Sequence, residues 1–269
     1  MALDHGRDGQ AALTQSLAPK LTVLMPVYNT REDWLRIAIA GIACQTYPNL
    51  DLRIGDDAST KASTVETLRL ATERYPDRVF VHRRAERGGT ARALDEALRH
   101  ADSATTYFDK ADSDDIFHVQ REANRVKVME TLPPQVAIVY DNYYQMAYEP
   151  LPHLTPIILR PYDYRAYLDS SYIPGNSLWR ASVYERWGGP LKESFVYPDY
   201  DGKANRHAED YAHWLAITDF SDAFWSDGDP AFTWTYRFYK TSKYLSDRKG
   251  VDYARALLQN RAKERRGLA

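Results

Sequence analysis

Between residues 21 and 144, apolar runs of strand length alternate with segments of helix length. "LTVLMPV" (21–27), "DLRIGD" (51–56), "RVFVHRR" (78–84), "TTYFDKA" (105–111) and "QVAIVYDNYY" (135–144) read as strands. "REDWLRIAIAGIACQ" (31–45), "STVETLRLATERY" (63–75), "GTARALDEALRHA" (89–101) and "FHVQREANRVKVMETL" (117–132) read as the helices between them. Thr30 is expected to cap the first helix, with Asp33 placed as in a capping box. Cys44, in the same apolar stretch, is expected to be buried packing. Strands and helices that alternate over short connections predict an α/β fold, a mainly parallel sheet covered by helices on both faces.

Outside this stretch the pattern weakens. Residues 1–20 read as a disordered leader. After residue 145 prolines interrupt the chain at 150, 152, 156, 161 and 174. Two helices still stand out there, 181–188 and 208–220, with an aromatic strand at 231–239 and a basic helix at 251–267. The single cysteine allows no internal disulfide and fits a reducing compartment. The first residues carry no secretory signal pattern, and no run approaches the ~20 apolar residues of a membrane span. A soluble, cytoplasmic protein is expected. Lys+Arg total 35 and Asp+Glu 37, so overall charge gives no reason to expect nucleic acid or anionic lipid as partner.

Open parallel sheets bind ligands beyond the carboxyl ends of their strands. The first strand ends in Tyr28 and Asn29, the second in Asp56 and Asp57, the fourth in "DSDD", with Asp112, Asp114 and Asp115. Carboxylates this close repel unless a cation sits among them. A hard divalent cation bound by one or two of them, its shell completed by phosphates, is one reading. An Asx turn that caps the next helix is the other. "MPVYNT" contains no glycine, against the phosphate loops of dinucleotide and P-loop folds.

Five segments in order resemble family 2 glycosyltransferases of the GT-A (Rossmann-like) fold. They are the opening "LTVLMPVYNT…QTY…DDAST", "GGTARALDEALRHA", "KADSDDIF", "PGNSLWRASVYERWGGP" and "AEDYAHWLAI". The resemblance covers residues 21–240 as one domain, with a nucleotide-sugar half (21–145) and an irregular acceptor half (146–240), followed by the basic helix (241–269). It implies that Pro26, Tyr28, Asp56, Asp57, Arg92, Asp112 and Ser113 line the nucleotide-sugar site, with Tyr28 against the base and Asp57 on its edge. Asp114, with Asp112, would hold a divalent metal, Mn or Mg. Asp210 would be the catalytic base, and Asn176, Glu209, His207 and Tyr239 would face the acceptor. The plain alternatives are a turn tyrosine for Tyr28, a surface ion pair for Arg92, helix N-terminal carboxylates for Glu209 and Asp210, and a solvated loop histidine for His207.

The implied reaction is one inverting displacement, a sugar passing from a nucleotide-sugar, a UDP-sugar, to an acceptor hydroxyl of unidentified kind. Two positions depart from the family pattern. Ala93 stands where an asparagine is usual, and Tyr239 where the Y-R-x-H strand has its histidine. No Q-x-x-R-W motif follows the base, so transfer of one sugar or a few is expected. The competing readings are a nucleotidyltransferase and a catalytically weakened nucleotide-sugar-binding module. The C-terminal basic helix offers a weak contact for a membrane surface or a second copy.

Overall fold

A computed structural model of the protein describes residues 18–148, 151–184, 209–218, 223–226 and 232–239, and scattered positions between 252 and 267. The expected leader, but for its last residues, lies outside them. So do His207, the segment 195–207 and the second half of the helix expected at 181–188. Only Ala181–Val183 of that helix is seen, as a single 3₁₀ turn.

The first half follows the expected alternation. It runs β1 (Lys20–Val27), α1 (Glu32–Ala43), β2 (Leu50–Asp56), α2 (Ala62–Arg74), β3 (Val79–Arg83), α3 (Thr90–Arg99) and β4 (Thr105–Lys110). Next come the two-residue β5 (Ile116–Phe117), α4 (Arg121–Thr131), β6 (Val136–Tyr140), β7 (Tyr143–Ala147), β8 (His153–Ile157), α5 (Tyr164–Asp169) and β9 (Leu178–Arg180). Last are α6 (Glu209–Ile217), β10 (Ala223–Ser226) and β11 (Trp234–Phe238). The main sheet has the order β10-β6-β9-β4-β1-β2-β3. Its pairs are parallel except those of β9, which runs antiparallel to β4 and β6.

Parallel sheets are buried on both faces, and β1 shows it residue by residue. Leu21, Val23, Met25 and Val27 pack into one core with Leu35, Ile39 and Ile42 of α1. Leu24 points the other way, into a core with Leu94 and Leu98 of α3, Trp179 and Trp214. On that side α3 approaches β2 so closely that a Cβ on Gly55 would lie 1.8 Å from the carbonyl oxygen of Ala93.

Several local expectations are corrected. The residue before α1 is Arg31, with no side-chain cap, while Thr30 Oγ1 hydrogen-bonds Ser113 Oγ at 2.7 Å. Cys44 is exposed rather than buried. At 3.6 residues per turn it sits about 180° round from Leu35, opposite the buried stripe. The strand expected at 135–144 breaks at Asp141 and Asn142 into β6 and β7, which belong to different sheets. Both break residues are buried and polar: Asp141 accepts from Arg125 and Thr233, and Asn142 Oδ1 accepts from Leu159 N at 2.8 Å. The half expected to be irregular contributes β8 and β11 to a second sheet, β5-β11-β7-β8, whose β5 and most of β7 come from the first half. In the C-terminal segment Ala262 is buried in the Trp214 core and Lys263 pairs with Asp169 of α5 at 3.3 Å, so these described residues pack on the domain. Among the described residues no helix is long and apolar enough to cross a membrane.

Candidate active site

The chain leaves β1 toward β2 and β3 on one side, then crosses to place β4 on the other. The carboxyl ends of β1 and β4 therefore flank a switch point, where open α/β sheets form their ligand crevice. A cleft of about 1330 Å³ opens there. It is lined by Pro26 and Tyr28, by Asp57, by Asp112, Ser113 and Asp114, by Asn176, by Glu209 and Asp210, and by Tyr239. Ten of the residues singled out from sequence thus share one cavity.

On the β1–β2 side the ring of Tyr28 is part-exposed, with the Arg87 guanidinium 4.1 Å above it. Asn29 takes a left-handed conformation (φ 51°) and its Oδ1 accepts from Thr60 and Lys61 N, both at 2.8 Å, which ties the strand ends together. Asp57 is buried. Its two oxygens accept from the backbone N–H groups of Gly88 and Gly89 at 2.7 Å each, and Arg84 Nε lies 3.2 Å away. Gly89, at φ 92°, opens α3 in a conformation side chains rarely adopt.

Asp56 and Arg92 do not line the cleft. The Asp56 carboxylate accepts from Ser59 N at 3.0 Å and pairs with Arg83 at 2.8 Å, so it fixes the loop. Arg92 is exposed, with its Cδ only 2.7 Å from where a Cβ on Gly88 would lie, and the cation that lines the cleft from this segment is Arg87. The signal for Arg87 was its place just before the glycine pair.

The acidic stretch separates into distinct roles. Asp112 is one-third exposed and lies 2.9 Å from the Lys110 ammonium. Asp114 Oδ2 accepts from the Tyr239 hydroxyl at 2.7 Å, so tyrosine does reach the cluster where the family's histidine would stand. Burial, then the charge of Asp112, push the Asp114 pKa up. Asp115 is fully buried and faces protein: its oxygens accept from Arg237 N at 3.0 Å and Asn176 Nδ2 at 2.8 Å. Asn176 Oδ1 in turn accepts from Asp112 N at 3.2 Å, so both ends of its amide brace the acidic turn. Below, Arg121 and Arg125 donate to the Asn176 carbonyl at 3.1 and 2.9 Å and hold buried Asp109 between them.

Glu209 and Asp210 enter from the first turn of α6, where the helix dipole favours carboxylates. Burial first, then Glu209, raise the pKa of Asp210, and Lys110 partly offsets this. Lys110 is 3% exposed. Burial alone would pull its pKa down, but Asp112, Glu209 and Asp210 overcome that and hold it charged. Sequence reasoning passed over Lys110, which stands in the open between Asp109 and Asp112.

The model of Glycosyl transferase family 2 matches residues 22–188, more than half of the chain. The chain belongs to this family. An uncharacterized glycosyltransferase of Rickettsia felis is 27% identical over 126 residues, 46% of this chain and 20% of the relative. The O-antigen biosynthesis protein RfbC of Myxococcus xanthus is 33% identical over 89 residues, 33% of this chain and 7% of the relative. The chain thus spans a minor part of either. Among solved structures, S. aureus TarS 1–349 in complex with UDP has a TM-score of 0.62 at 15% identity, covering 93% of this chain and 70% of that one. The Pyrobaculum calidifontis mannosyltransferase PcManGT, in complex with GDP-Man and Mn2+, has a TM-score of 0.59 at 20% identity, covering 96% and 78%. At these identities the likeness shows a shared fold, the GT-A fold of family 2.

Proposed function

We propose that this family 2 protein is an inverting glycosyltransferase that moves one sugar from a UDP-sugar to an acceptor hydroxyl. The observation that carries the reading is the meeting, in one cleft at the switch point, of the Tyr28–Asp57 wall, the Asp112–Asp114 pair and the Glu209–Asp210 pair. UDP and GDP-Man in the two structural neighbours support a nucleoside diphosphate donor. Tyr28 and Asp57 receive the base, with Arg87 beside the ring. Asp210 takes the proton of the acceptor hydroxyl as it attacks the anomeric carbon. A carboxylate whose pKa is raised toward the working pH suits a general base. A single displacement inverts the centre and needs no carboxylate nucleophile.

The donor set also fits a divalent ion. Asp112 and Asp114 present hard oxygen ligands to the cleft, and Asp114 carries the strain of a buried carboxylate beside another. Among the described residues no three His, Cys, Asp or Glu side chains cluster to hold a metal unaided. A hard divalent ion held by one or two carboxylates completes its shell with water and substrate phosphates. Bound there, such an ion would offset the charge on the departing diphosphate. The mannosyltransferase neighbour, in complex with GDP-Man and Mn2+, supports this.

Asp210→Asn tests the assignment. It keeps size and hydrogen-bonding reach but cannot take the proton, so kcat is expected to fall by about 10²–10⁴-fold, with UDP affinity within a few-fold. Turnover close to the parent's would end Asp210's role as base.

A further inference from the structure

Lys110 joins two groups of carboxylates that the reaction keeps apart. Its ammonium lies 2.9 and 3.2 Å from the two oxygens of Asp112, on the donor side. It lies 3.9 Å from Glu209 Oε1, at the start of α6. Asp210 is close by on the same side. A Cβ placed on Gly175 would lie 2.8 Å from Lys110 Nζ and 2.7 Å from Asp210 Oδ2, so both groups crowd the same bare backbone. Lys110 is the last residue of β4, next to the switch point, and is almost wholly enclosed. A buried ammonium costs several kcal/mol of desolvation unless its partners offset it, and those partners here come from two different elements.

From this geometry we propose that Lys110 is a positioning residue shared between the two halves of the site. Resting on the glycosyltransferase reading above, it occupies Asp112 until a divalent cation takes that carboxylate, and then serves Glu209 and Asp210. Two cations competing for one carboxylate must weaken each other's hold, because like charges a few ångströms apart repel. In the loaded state the ammonium is left to the α6 pair and keeps Asp210 aimed at the acceptor. Lys110 touches neither reacting atom. It couples arrival of the metal-bound donor to alignment of the base.

The test is calorimetric titration with Mn2+ alone, then UDP with Mn2+, on the parent, Lys110→Met and Lys110→Arg, followed by steady-state kinetics. Loss of the competing charge should tighten binding of Mn2+ alone by about tenfold in Lys110→Met, while Lys110→Arg stays near the parent. In Lys110→Met, kcat should fall at least tenfold without a rise in KM for the donor. Gly175→Ala supplies a second, charge-neutral variant, whose Cβ drives Lys110 and Asp210 apart. It should lower kcat with little change in Mn2+ affinity. Mn2+ affinity unchanged or lower in Lys110→Met would overturn the proposal, as would normal kcat in both Lys110→Met and Gly175→Ala. A parent that binds UDP equally with Mn2+ and with chelator would instead overturn the metal assignment, which is a separate result.

Discussion

Asp57 spends both carboxylate oxygens on the backbone of Gly88 and Gly89, so one side chain shapes the loop that opens α3 and faces the cleft. Removing it strips a buried acceptor from two N–H groups at once. Asp57→Ala is therefore expected to destabilise the protein and, if the carboxylate also meets the base edge, to weaken UDP binding by ~1–3 kcal/mol, the scale of one buried hydrogen bond to the ligand. Titration calorimetry on the folded variant reads it, and parent-like affinity would move the base elsewhere. Asp57, Asp112, Asp114 and Asp210 were legible as residues of one cleft because each follows a strand or opens a helix in a recognisable motif. Lys110 and Arg87 were not, because a cation earns its place from what surrounds it in space. Arg92 differs for the converse reason: its motif is right, but its side chain is exposed beside the cleft while its neighbour Ala93 lines it.

At the scale of elements, β3 meets the end of α3 through two stacked imidazoles, His82 and His100, 3.9 Å apart with planes at 11°. Burial first, then His100 and Arg53, lower the His82 pKa to about 4, with Glu96 and Asp51 acting weakly the other way. An unfolded histidine takes its proton near pH 6.5. Between those values the unfolded chain binds more protons than the folded one, so this contribution to stability is lost as pH falls from about 6.5 to about 4. His82→Phe should flatten that part of the pH profile, read as the urea midpoint of variant minus parent. Equal slopes in both proteins would refute it. Element type through β4 was readable from periodicity, since each strand and helix there buries its apolar face within the same domain. The break between β6 and β7 was hidden, because Asp141 and Asn142 interrupt an otherwise continuous strand pattern and are matched by partners from other segments, Arg125, Thr233 and Leu159 among them.

On the scale of the whole molecule, a buried charge network underlies the cleft. Arg125 reaches Asp109 on β4, Asp141 after β6 and the Asn176 carbonyl before β9, while Thr233 before β11 binds Asp141. It joins the two sheets beneath the acidic turn. Breaking one member leaves an unpaired buried charge, so Arg125→Met should destabilise the protein by ~3–5 kcal/mol. Chemical denaturation measures this, and a loss under about 1 kcal/mol would mean that the network is dispensable. The same network fixes Asn176, and through it Asp112 and Asp115, so the site inherits its geometry from the fold. On the proposed reading, this cleft binds a nucleoside diphosphate together with a divalent cation held by Asp114. Titration of UDP into the parent and into Asp114→Ala, each with Mn2+ and with excess chelator, tests it most directly. Chelator is expected to weaken UDP binding to the parent by at least tenfold and to have little further effect on Asp114→Ala. Equal UDP affinity in all four titrations would contradict it.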